Sequence, residues 1–485
     1  MRNDSRNLYS RSRYHLENDP RSFCDITDVL LKKESNNIID SSSVLSIIKK
    51  SYIIGDATIL KGVTKSPWMH QYLDNDNRFE KLDLPKHGEL NLEKKEIAIR
   101  FKDLLLKEAR KYISGKSVVG ILLSGGMDSR IVAGVIRELQ ERNEFSGTVV
   151  GLTWGLENTR DVVYAREVIK KYKWDHVHYP LTAEILAENI SLAASLGAEV
   201  SPLHLHAMPS VAEEKGIDCI LAGSYGDSVG RGEFSGKKLE QLTGQLAFDY
   251  NKFGFLTSSF SNKHNKKLEL QLANYQENFP RDTLWQQYEV EQQCHYMRRQ
   301  LGSCMDIIDN KIPVYQMFTL PEVFGFIWSL TPECRDNYVY EELLKILPGQ
   351  LLDIPWARDG KIYPSKGKVL DNIPSSHNKY GEWLRNDCYD LVNQYLNNDS
   401  LERLNIFNPK ALNFWKSYWH RCDAKKADKL DERISWLAAL SIFCENNSVV
   451  GEETMVDSRI LLNYEASKGF IYGLAYRKAR KIIGK

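Results

Sequence analysis

An acidic side chain inside a glycine-rich turn is the first sign of chemistry in this sequence. The string SGGMDS joins an apolar run at 118–123 to residues 130–139, whose apolar side chains recur at helical spacing. Glycines let the backbone approach a ligand, and the first N–H groups of a helix are unpaired and lie at its positive end. The string therefore predicts a phosphate-binding loop between a buried strand and a helix.

The position of Asp128 narrows the kind of phosphate site. The loop lacks both the Gly-Lys-Ser/Thr ending of the usual P-loop and the G-x-G-x-x-G pattern of dinucleotide-binding folds. A carboxylate there would repel phosphate unless a divalent cation stood between them, which indicates a pyrophosphate bound with Mg²⁺. SGGMDS resembles the SGGxDS signature of the ATP pyrophosphatase (PP-loop) superfamily, whose members break ATP between the α- and β-phosphates. A chance glycine turn is the alternative.

A second acid follows a second apolar run. DCILAGSYGDSVGRGEF places Asp227 in a glycine-rich turn just after 218–223, an arrangement that mirrors Asp128. Carboxylates at the ends of two strands of one sheet can hold one or two Mg²⁺ ions against phosphates. The alternative is an Asx-type turn in which Asp227 caps its own backbone.

The elements around these loops alternate between strand and helix. Further apolar runs of strand type occur at 148–153, 176–181 and 218–223, and a helical pattern occupies 161–172. This alternation predicts an α/β fold with a doubly wound parallel sheet, which binds ligands at the carboxyl ends of its strands. Beyond 248 the pattern becomes mainly helical, and 51–63 has the composition of a small β-rich lead-in.

Composition and charge exclude several classes of protein. The 485 residues carry 65 Lys and Arg against 64 Asp and Glu, a net charge of +1, so the overall basic field of a nucleic-acid binder is missing. Without an apolar run of the length of a signal peptide core or a membrane span, we expect a cytoplasmic protein. The eight cysteines are scattered without a C-x-x-C pair, and we expect reduced thiols rather than zinc ligands.

The chain as a whole resembles the synthetase domain of the asparagine synthetase family. LLSGGMDSR is similar to that family's pyrophosphate loop, TVVGLT with the following RDVVYAREV to its second strand and helix, and AGSYGDSVGRG lies where the family has Gly-Glu-Gly-Ser-Asp-Glu. Two later segments, IPVYQMFTLPEVFGFIWSL and ELLKILPGQL, are similar to segments that follow in the same order in that family. The resemblance implies an ATP pyrophosphatase domain at 91–445, preceded at 1–90 by a degenerate glutaminase remnant and followed at 446–485 by a tail.

This resemblance implies ATP-dependent amide synthesis. A substrate carboxylate attacks the α-phosphate of ATP, pyrophosphate leaves, and ammonia or an amine then displaces AMP from the acyl-adenylate. Positions matching the family assign the contacts with ATP to Leu122, Ser124, Gly125, Gly126, Asp128, Ser129, Val150 and Gly223. By the same resemblance, Asp128 and Asp227 hold Mg²⁺.

Departures from the family change the expected amine step. The glutamate of the family's acidic segment falls at Ser224, and Tyr225 replaces a glycine. The family's catalytic lysine falls at Asp336, an acid that would repel the adenylate unless Arg335 or Lys345 reaches in. The usual base and the usual cation are therefore both missing from their places.

Histidines offer a replacement for the lost base. Glu199, His204 and His206 lie where the family builds its acceptor pocket, and an imidazole there could accept the proton of the attacking amine. The candidate catalytic residues are therefore Arg335, His204 and His206. Histidines that are only hydrogen-bonded, or that form a metal pair, are the alternatives.

The nitrogen source is also expected to differ from that of glutamine-dependent relatives. Those relatives use a cysteine exposed by removal of the initiator methionine, whereas Arg2 follows Met1 here and the nearest cysteine is Cys24. We expect this chain to use free ammonia, ammonia from a separate glutaminase, or an amine on the substrate itself.

Several functions fit these features. The first is an amide-forming ligase acting on a small or sugar-linked carboxylate, with a sugar acid of surface-polysaccharide assembly as the expected substrate. Lactam closure, as in lasso-peptide cyclases and β-lactam synthetases, uses the same chemistry. A nucleotide-binding homologue without turnover and a tRNA-modifying PP-loop enzyme complete the set, the last disfavoured by the near-neutral charge and the missing cysteine pair.

Free asparagine is not the expected product. Given aspartate, ammonia and Mg-ATP, the purified protein should form asparagine at least about 100-fold more slowly than an asparagine synthetase, because Ser224 cannot act as the general base. Chromatographic amino-acid analysis measures the product. Asparagine formation at the rate of an asparagine synthetase would show that the site tolerates these replacements.

Overall fold

The computed structural model describes residues 6–17, 19, 21–32, 36–73, 78–232, 251–452 and 457–482. The strands in these ranges are β1 (Tyr14–Leu16), β2 (Ser22–Phe23), β3 (Val63–Lys65), β4 (His70–Leu73), β5 (Arg78–Lys81), β6 (Val118–Leu122), β7 (Thr148–Trp154), β8 (Asp175–Tyr179), β9 (Cys219–Ala222) and β10 (Val314–Gln316). They form a central five-stranded sheet, a three-stranded sheet of β2, β1 and β3, and the pair β4–β5.

Helices make up most of the remaining chain. The α-helices are α1 (Ile26–Lys32), α2 (Ser41–Lys50), α3 (Lys94–Ile113), α4 (Met127–Glu141), α5 (Arg160–Tyr172), α6 (Ala183–Ser195), α7 (Met208–Ala212), α8 (Ser258–Asn278), α9 (Leu284–Glu291), α10 (Ser303–Asp309), α11 (Pro321–Ser329), α12 (Asn337–Ile346), α13 (Tyr380–Arg385), α14 (Tyr389–Leu396), α15 (Ser400–Arg403), α16 (Pro409–Tyr418), α17 (Lys429–Asn446) and α18 (Arg459–Ile482). Short 3₁₀ turns lie at Pro202–His204, Pro332–Cys334 and Leu351–Asp353, and π-helical turns at Gly226–Gly230 and Gln292–Gly302. Within the described ranges, none of the helices is both long and apolar enough to cross a membrane.

The central sheet is parallel, with the strand order β10-β9-β6-β7-β8. The chain moves from β6 through β7 to β8 in one direction, and β9 then pairs with the opposite edge of β6. The order therefore reverses between β6 and β9, as in a doubly wound sheet, which confirms the predicted fold class. Ligands of such sheets bind outside the carboxyl ends of the strands at this reversal. The SGGMDS loop and the Asp227 turn follow the two strands that flank it.

The apolar sequence of these strands explains why they lie at the centre. All four residues of β9 are buried, as are four of the five residues of β6. Strands of a parallel sheet are covered on both faces, so they require nearly continuous apolar runs. The short strand β10 was not predicted, because VYQ is too brief and too polar to stand out.

The N-terminal lead-in contains less strand than its composition predicts. Residues 51–62 form turns joined by isolated bridges, and only β3 is a strand there. Gly55 and Gly62 adopt positive φ angles of 73° and 72°, which interrupts an extended run. Lys65 of β3 pairs at 3.1 Å with Glu199, so this acid, expected near the acceptor pocket, instead ties the lead-in to the domain.

The C-terminal segment is packed against the helical part. Helix α18 lies along α16, where Phe470 and Phe414 have ring centroids 3.8 Å apart. Arg477 of α18 pairs with Asp428 at 2.8 Å and with Asp431 at 2.9 Å, and both acids are buried. Local sequence patterns did not predict this docking, because the acids that hold Arg477 lie about 50 residues earlier in the chain.

A buried arginine joins the SGGMDS loop to a distant segment. The guanidinium of Arg130 is fully buried and donates to the carbonyls of Gly125 at 3.0 Å, Leu351 at 3.2 Å and Ile354 at 2.6 Å, and also to that of Pro355. Burial lowers the pKa of Arg130 to about 9, so the group keeps its charge near neutral pH. These bonds fix the loop backbone against residues 351–355.

Loss of this guanidinium should destabilise the whole domain. We expect Arg130→Met to lower the free energy of unfolding by about 3 kcal/mol, because several buried carbonyls lose their donor. Urea unfolding followed by circular dichroism measures the change.

A matched control is Arg100→Met, which removes an exposed guanidinium paired with Glu96 on α3 and should cost about 0.5 kcal/mol or less. Equal stability losses in the two variants would contradict the assigned role of Arg130.

Candidate active site

A cavity of about 510 Å³ opens at the carboxyl ends of β6, β7 and β9. The loop after β6 contributes Leu122, Ser124, Gly126, Asp128 and Ser129, and the turn after β9 contributes Gly223, Ser224 and Asp227. On the other side the lining includes Trp154, Asp161, His204, His206 and His377. The two acids that were predicted from separate loops therefore share one cavity.

The SGGMDS loop delivers the start of α4 to this cavity. The Ser124 hydroxyl accepts from the N–H of Gly126 at 3.1 Å and lies 3.3 Å from the hydroxyl of Ser129. Gly126 precedes the helix, whose N-terminus has no side-chain cap. Uncapped N–H groups at the positive end of a helix provide a site for phosphate oxygens.

The two loops meet at the Asp128 carboxylate. A Cβ atom on Gly226 would collide with Oδ1 of Asp128, so this close approach requires glycine. Oδ2 pairs at 3.2 Å with Arg231, whereas the buried Oδ1 accepts no hydrogen bond from the described residues. One carboxylate oxygen of Asp128 is therefore held by the protein and the other is left for a ligand.

Arg231 is a buried cation that sequence reasoning did not assign. Its side chain is 4% exposed and lies over the rings of Tyr340 and Trp356 at 5.6 Å from each centroid. Burial alone would lower the pKa of Arg231, but Asp128 and Tyr340 raise it above its usual value, so the guanidinium stays charged. Its position in GRG gave a weak signal, because a surface arginine after a glycine turn is common.

Two of the predicted ATP contacts lie outside the cavity lining. Val150 is in the middle of β7, where it pairs with Gly120 and Asp175, and Trp154 at the end of the strand lines the cavity instead. Gly125 does not line the cavity, and its carbonyl accepts from the N–H of Ala357 at 3.1 Å. The other six predicted contacts line the cavity together.

The structure does not bring the predicted catalytic arginine to the cavity. Arg335 is buried and pairs with Glu289 at 2.9 Å. Asp336 caps the N-terminus of α12 and pairs with Lys94 at 2.7 Å, while Lys345 pairs with acids of its own helix. Neither Arg335 nor Lys345 reaches the site, and the cation that pairs with Asp128 is Arg231.

Both predicted histidines line the opposite side of the cavity. His206 Nδ1 lies 3.0 Å from the hydroxyl of Tyr380, and His204 Nδ1 lies 2.9 Å from the side-chain amide of Gln300. Burial lowers the pKa of both imidazoles, that of His206 furthest, so both are neutral near pH 7. Among the described residues no group of three or more His, Cys, Asp or Glu side chains is arranged to hold a metal.

A further acid and a further histidine complete this side. Nδ1 of His377 lies 3.9 Å from Oδ2 of Asp161 at the start of α5. Burial raises the pKa of Asp161 and lowers that of His377. His377 could not be found from sequence, because it joins the site from more than 200 residues away.

Comparisons with known proteins find similarity in the part of the chain that contains both loops. Residues 100–335 match the sequence model of the family described as asparagine synthase. The chain is 29% identical over 168 residues to a putative glutamine-hydrolysing asparagine synthetase of Methanocaldococcus jannaschii. That alignment covers 33% of this chain and 30% of the relative, so the chain matches about a third of the relative's length.

Solved structures give only remote similarity. The U34-tRNA thiolase NcsA of Methanococcus maripaludis has a TM-score of 0.23 at 17% identity, covering 46% of this chain and 79% of that one. The NMN synthetase of Francisella tularensis has a TM-score of 0.21 at 15% identity, covering 45% and 93%. Scores of this size say nothing specific about chemistry.

The fold, the cavity and the family match concern the same part of the chain. The chain carries an α/β domain whose glycine-rich loop lies at the reversal of a parallel sheet, where sheets of this kind bind their ligands. Residues 100–335, which contain all five strands of the central sheet and both acids, are similar to the asparagine synthase family.

Arg231 should decide how strongly the cavity binds ATP without a metal ion. Replacing it in Arg231→Met leaves the Asp128 carboxylate without its cation, so an uncompensated negative charge lies beside the phosphate loop. We expect the affinity for metal-free ATP to fall about tenfold, and Mg²⁺ to restore most of it. Isothermal titration calorimetry with and without Mg²⁺ measures both values.

The control variant is Arg110→Met, which removes an exposed guanidinium paired with Glu144 and should keep the wild-type affinity for metal-free ATP. Unchanged metal-free ATP affinity in Arg231→Met would refute the electrostatic role of Arg231.

Proposed function

We propose that the protein activates a substrate carboxylate as an acyl-adenylate, releases pyrophosphate, and joins the acyl group to ammonia or an amine. The observation that supports this most strongly is the meeting of Asp128, Asp227 and the uncapped N-terminus of α4 in one cavity. Carboxylates and helix N–H groups attract opposite charges, so their combination suits a phosphate chain that arrives with a cation. The volume of about 510 Å³ lies within the usual range for small-molecule sites.

The residues present fit Mg²⁺. Oδ1 of Asp128 is buried and accepts no hydrogen bond from the described residues, and Asp227 lines the same cavity. Hard carboxylate oxygens, completed by phosphate and water oxygens, are the ligands Mg²⁺ prefers. When bound there, Mg²⁺ would neutralise charge on the departing pyrophosphate.

The loop residues stabilise the leaving group in the first step. An oxygen of the substrate carboxylate forms a bond to the α-phosphorus of ATP as the bond to the bridging oxygen of pyrophosphate breaks. The negative charge that develops on pyrophosphate is then met by the N–H groups at the start of α4 and by the hydroxyls of Ser124 and Ser129. Such donors are effective because the fold has already fixed them.

The histidines serve the second step. The amine attacks the acyl carbon, AMP leaves, and the amine must lose a proton. His204, His206 and His377 line this side of the cavity and are kept neutral by their lowered pKa values, so each can accept that proton. We assign the role of base to this group, with Asp161 placed to stabilise the charge on His377.

We further propose a carboxylate larger than aspartate, with a sugar acid as the best candidate. Ser224 lines the cavity where the family has its glutamate. Without that carboxylate, the site cannot recognise a small amino acid or transfer the amine proton in the way the family does. The nitrogen donor in this proposal is ammonia or an amine on a second substrate.

Pyrophosphate release should require both Asp128 and Asp227 and should depend more weakly on Ser124. Asp128→Asn and Asp227→Asn should each lower pyrophosphate release by at least about 100-fold, whereas Ser124→Ala should lower it about tenfold because a single donor is lost. A coupled pyrophosphate assay over a panel of sugar acids with ammonia and Mg²⁺ measures the rates. Turnover at the wild-type rate in both Asn variants would rule out the proposed Mg²⁺ site of Asp128 and Asp227.

A further inference from the structure

A second and larger cavity lies on the far side of the active-site wall. Its volume is about 1040 Å³, and it runs between the end of α18, the 421–428 segment, and the loops at 156–159 and 374–379. Eight basic side chains and three acidic ones line it, so it is positively charged although the chain as a whole is nearly neutral. We call it the basic groove.

Part of this charge is already balanced within the protein. Arg477 is held by Asp428 and Asp431, and Lys481 pairs with Asp423 at 2.8 Å. Lys425, Lys426 and Lys478 also line the groove, and they form no ion pair with the described residues. These three ammonium groups are therefore available to a ligand.

The groove and the ATP cavity share one thin wall. Ser376 and Asn378 line the groove, whereas His377 between them lines the cavity. The carbonyl of His377 accepts from the N–H of Leu156 at 2.8 Å, so the two loops of the wall are fastened together. Lys426 is close enough to contribute to the lowered pKa of His377, although burial contributes most. A molecule in the groove therefore lies beside the site of amide formation.

Most of the groove comes from outside the asparagine synthase domain. Of its lining, 156–159 lies within the matched residues 100–335, whereas the 374–379 loop, the 421–428 segment and α18 lie beyond them. The groove is thus built by the parts of this chain that the family match does not cover. The groove is therefore a candidate for a binding site that the family match does not account for.

We propose that the basic groove binds an acidic oligomer through Lys425, Lys426 and Lys478, beside the wall that separates it from the active-site cavity. This inference goes beyond the proposed function and names the ligand class as a polyanion of several rings' length, with carboxylate or phosphate groups along it. The volume of the groove is at the upper end of the range for small-molecule sites, which suits an oligomer of a few units.

The test is calorimetric and does not require turnover. The ATP cavity is first filled with Mg²⁺ and α,β-methylene-ATP, and the full chain is then titrated with trigalacturonate in one arm and tripolyphosphate in the other. The wild type should bind at least one of them below 1 mM, and the arm that binds identifies the anion. In the triple variant Lys425→Glu, Lys426→Glu, Lys478→Glu, affinity for that probe should fall at least tenfold because three attractions become repulsions.

The matched control reverses three exposed lysines elsewhere, in Lys95→Glu, Lys266→Glu, Lys468→Glu, and should keep the wild-type affinity. Both triple variants should bind α,β-methylene-ATP within twofold of the wild type, which shows that they are folded. If neither probe binds below 1 mM, or if the groove variant binds as tightly as the control, the inference is overturned. Pyrophosphate release, measured separately, would then still decide the proposed function by itself.

Discussion

The buried contact between Arg130 and the 351–355 backbone is the interaction on which the site depends. It ties the phosphate loop to a segment more than 200 residues later, and Gly125 allows the close approach at the same point. The loop backbone is therefore fixed before any ligand arrives. Donors that need no rearrangement during a reaction stabilise developing charge most effectively, so this structural contact supports the chemistry directly.

The charges around the cavity are divided between its two sides. Asp128, Asp227 and Arg231 surround the phosphate loop, whereas the facing side presents imidazoles that are neutral near pH 7. An anionic nucleotide and its cation are thus expected on one side, and the proton released by an amine on the other. This separation suits a reaction in two steps, in which a phosphate leaving group departs first and a nitrogen nucleophile arrives second.

Local patterns were enough to predict one half of this arrangement from sequence. The strand, loop and helix around Asp128 are contiguous, and the turn of Asp227 follows its own strand, so both acids could be placed at one edge of the sheet. Val150 lies in the middle of β7, away from the cavity lining. Its sequence did not indicate this, because the end of a strand cannot be located from a short apolar run. Arg231 and His377 were missed because their roles depend on contacts between distant segments. Docking of α18, which builds the basic groove, was hidden for the same reason.

The most direct test of the account is to identify which bond of ATP breaks. ³¹P nuclear magnetic resonance of the purified protein with Mg-ATP, ammonia and a mixture of sugar acids follows every phosphate product at once. The account predicts that AMP and pyrophosphate appear in equal amounts, in step with a new amide. Accumulation of ADP and inorganic phosphate would contradict it, because the loop would then not hold a leaving pyrophosphate.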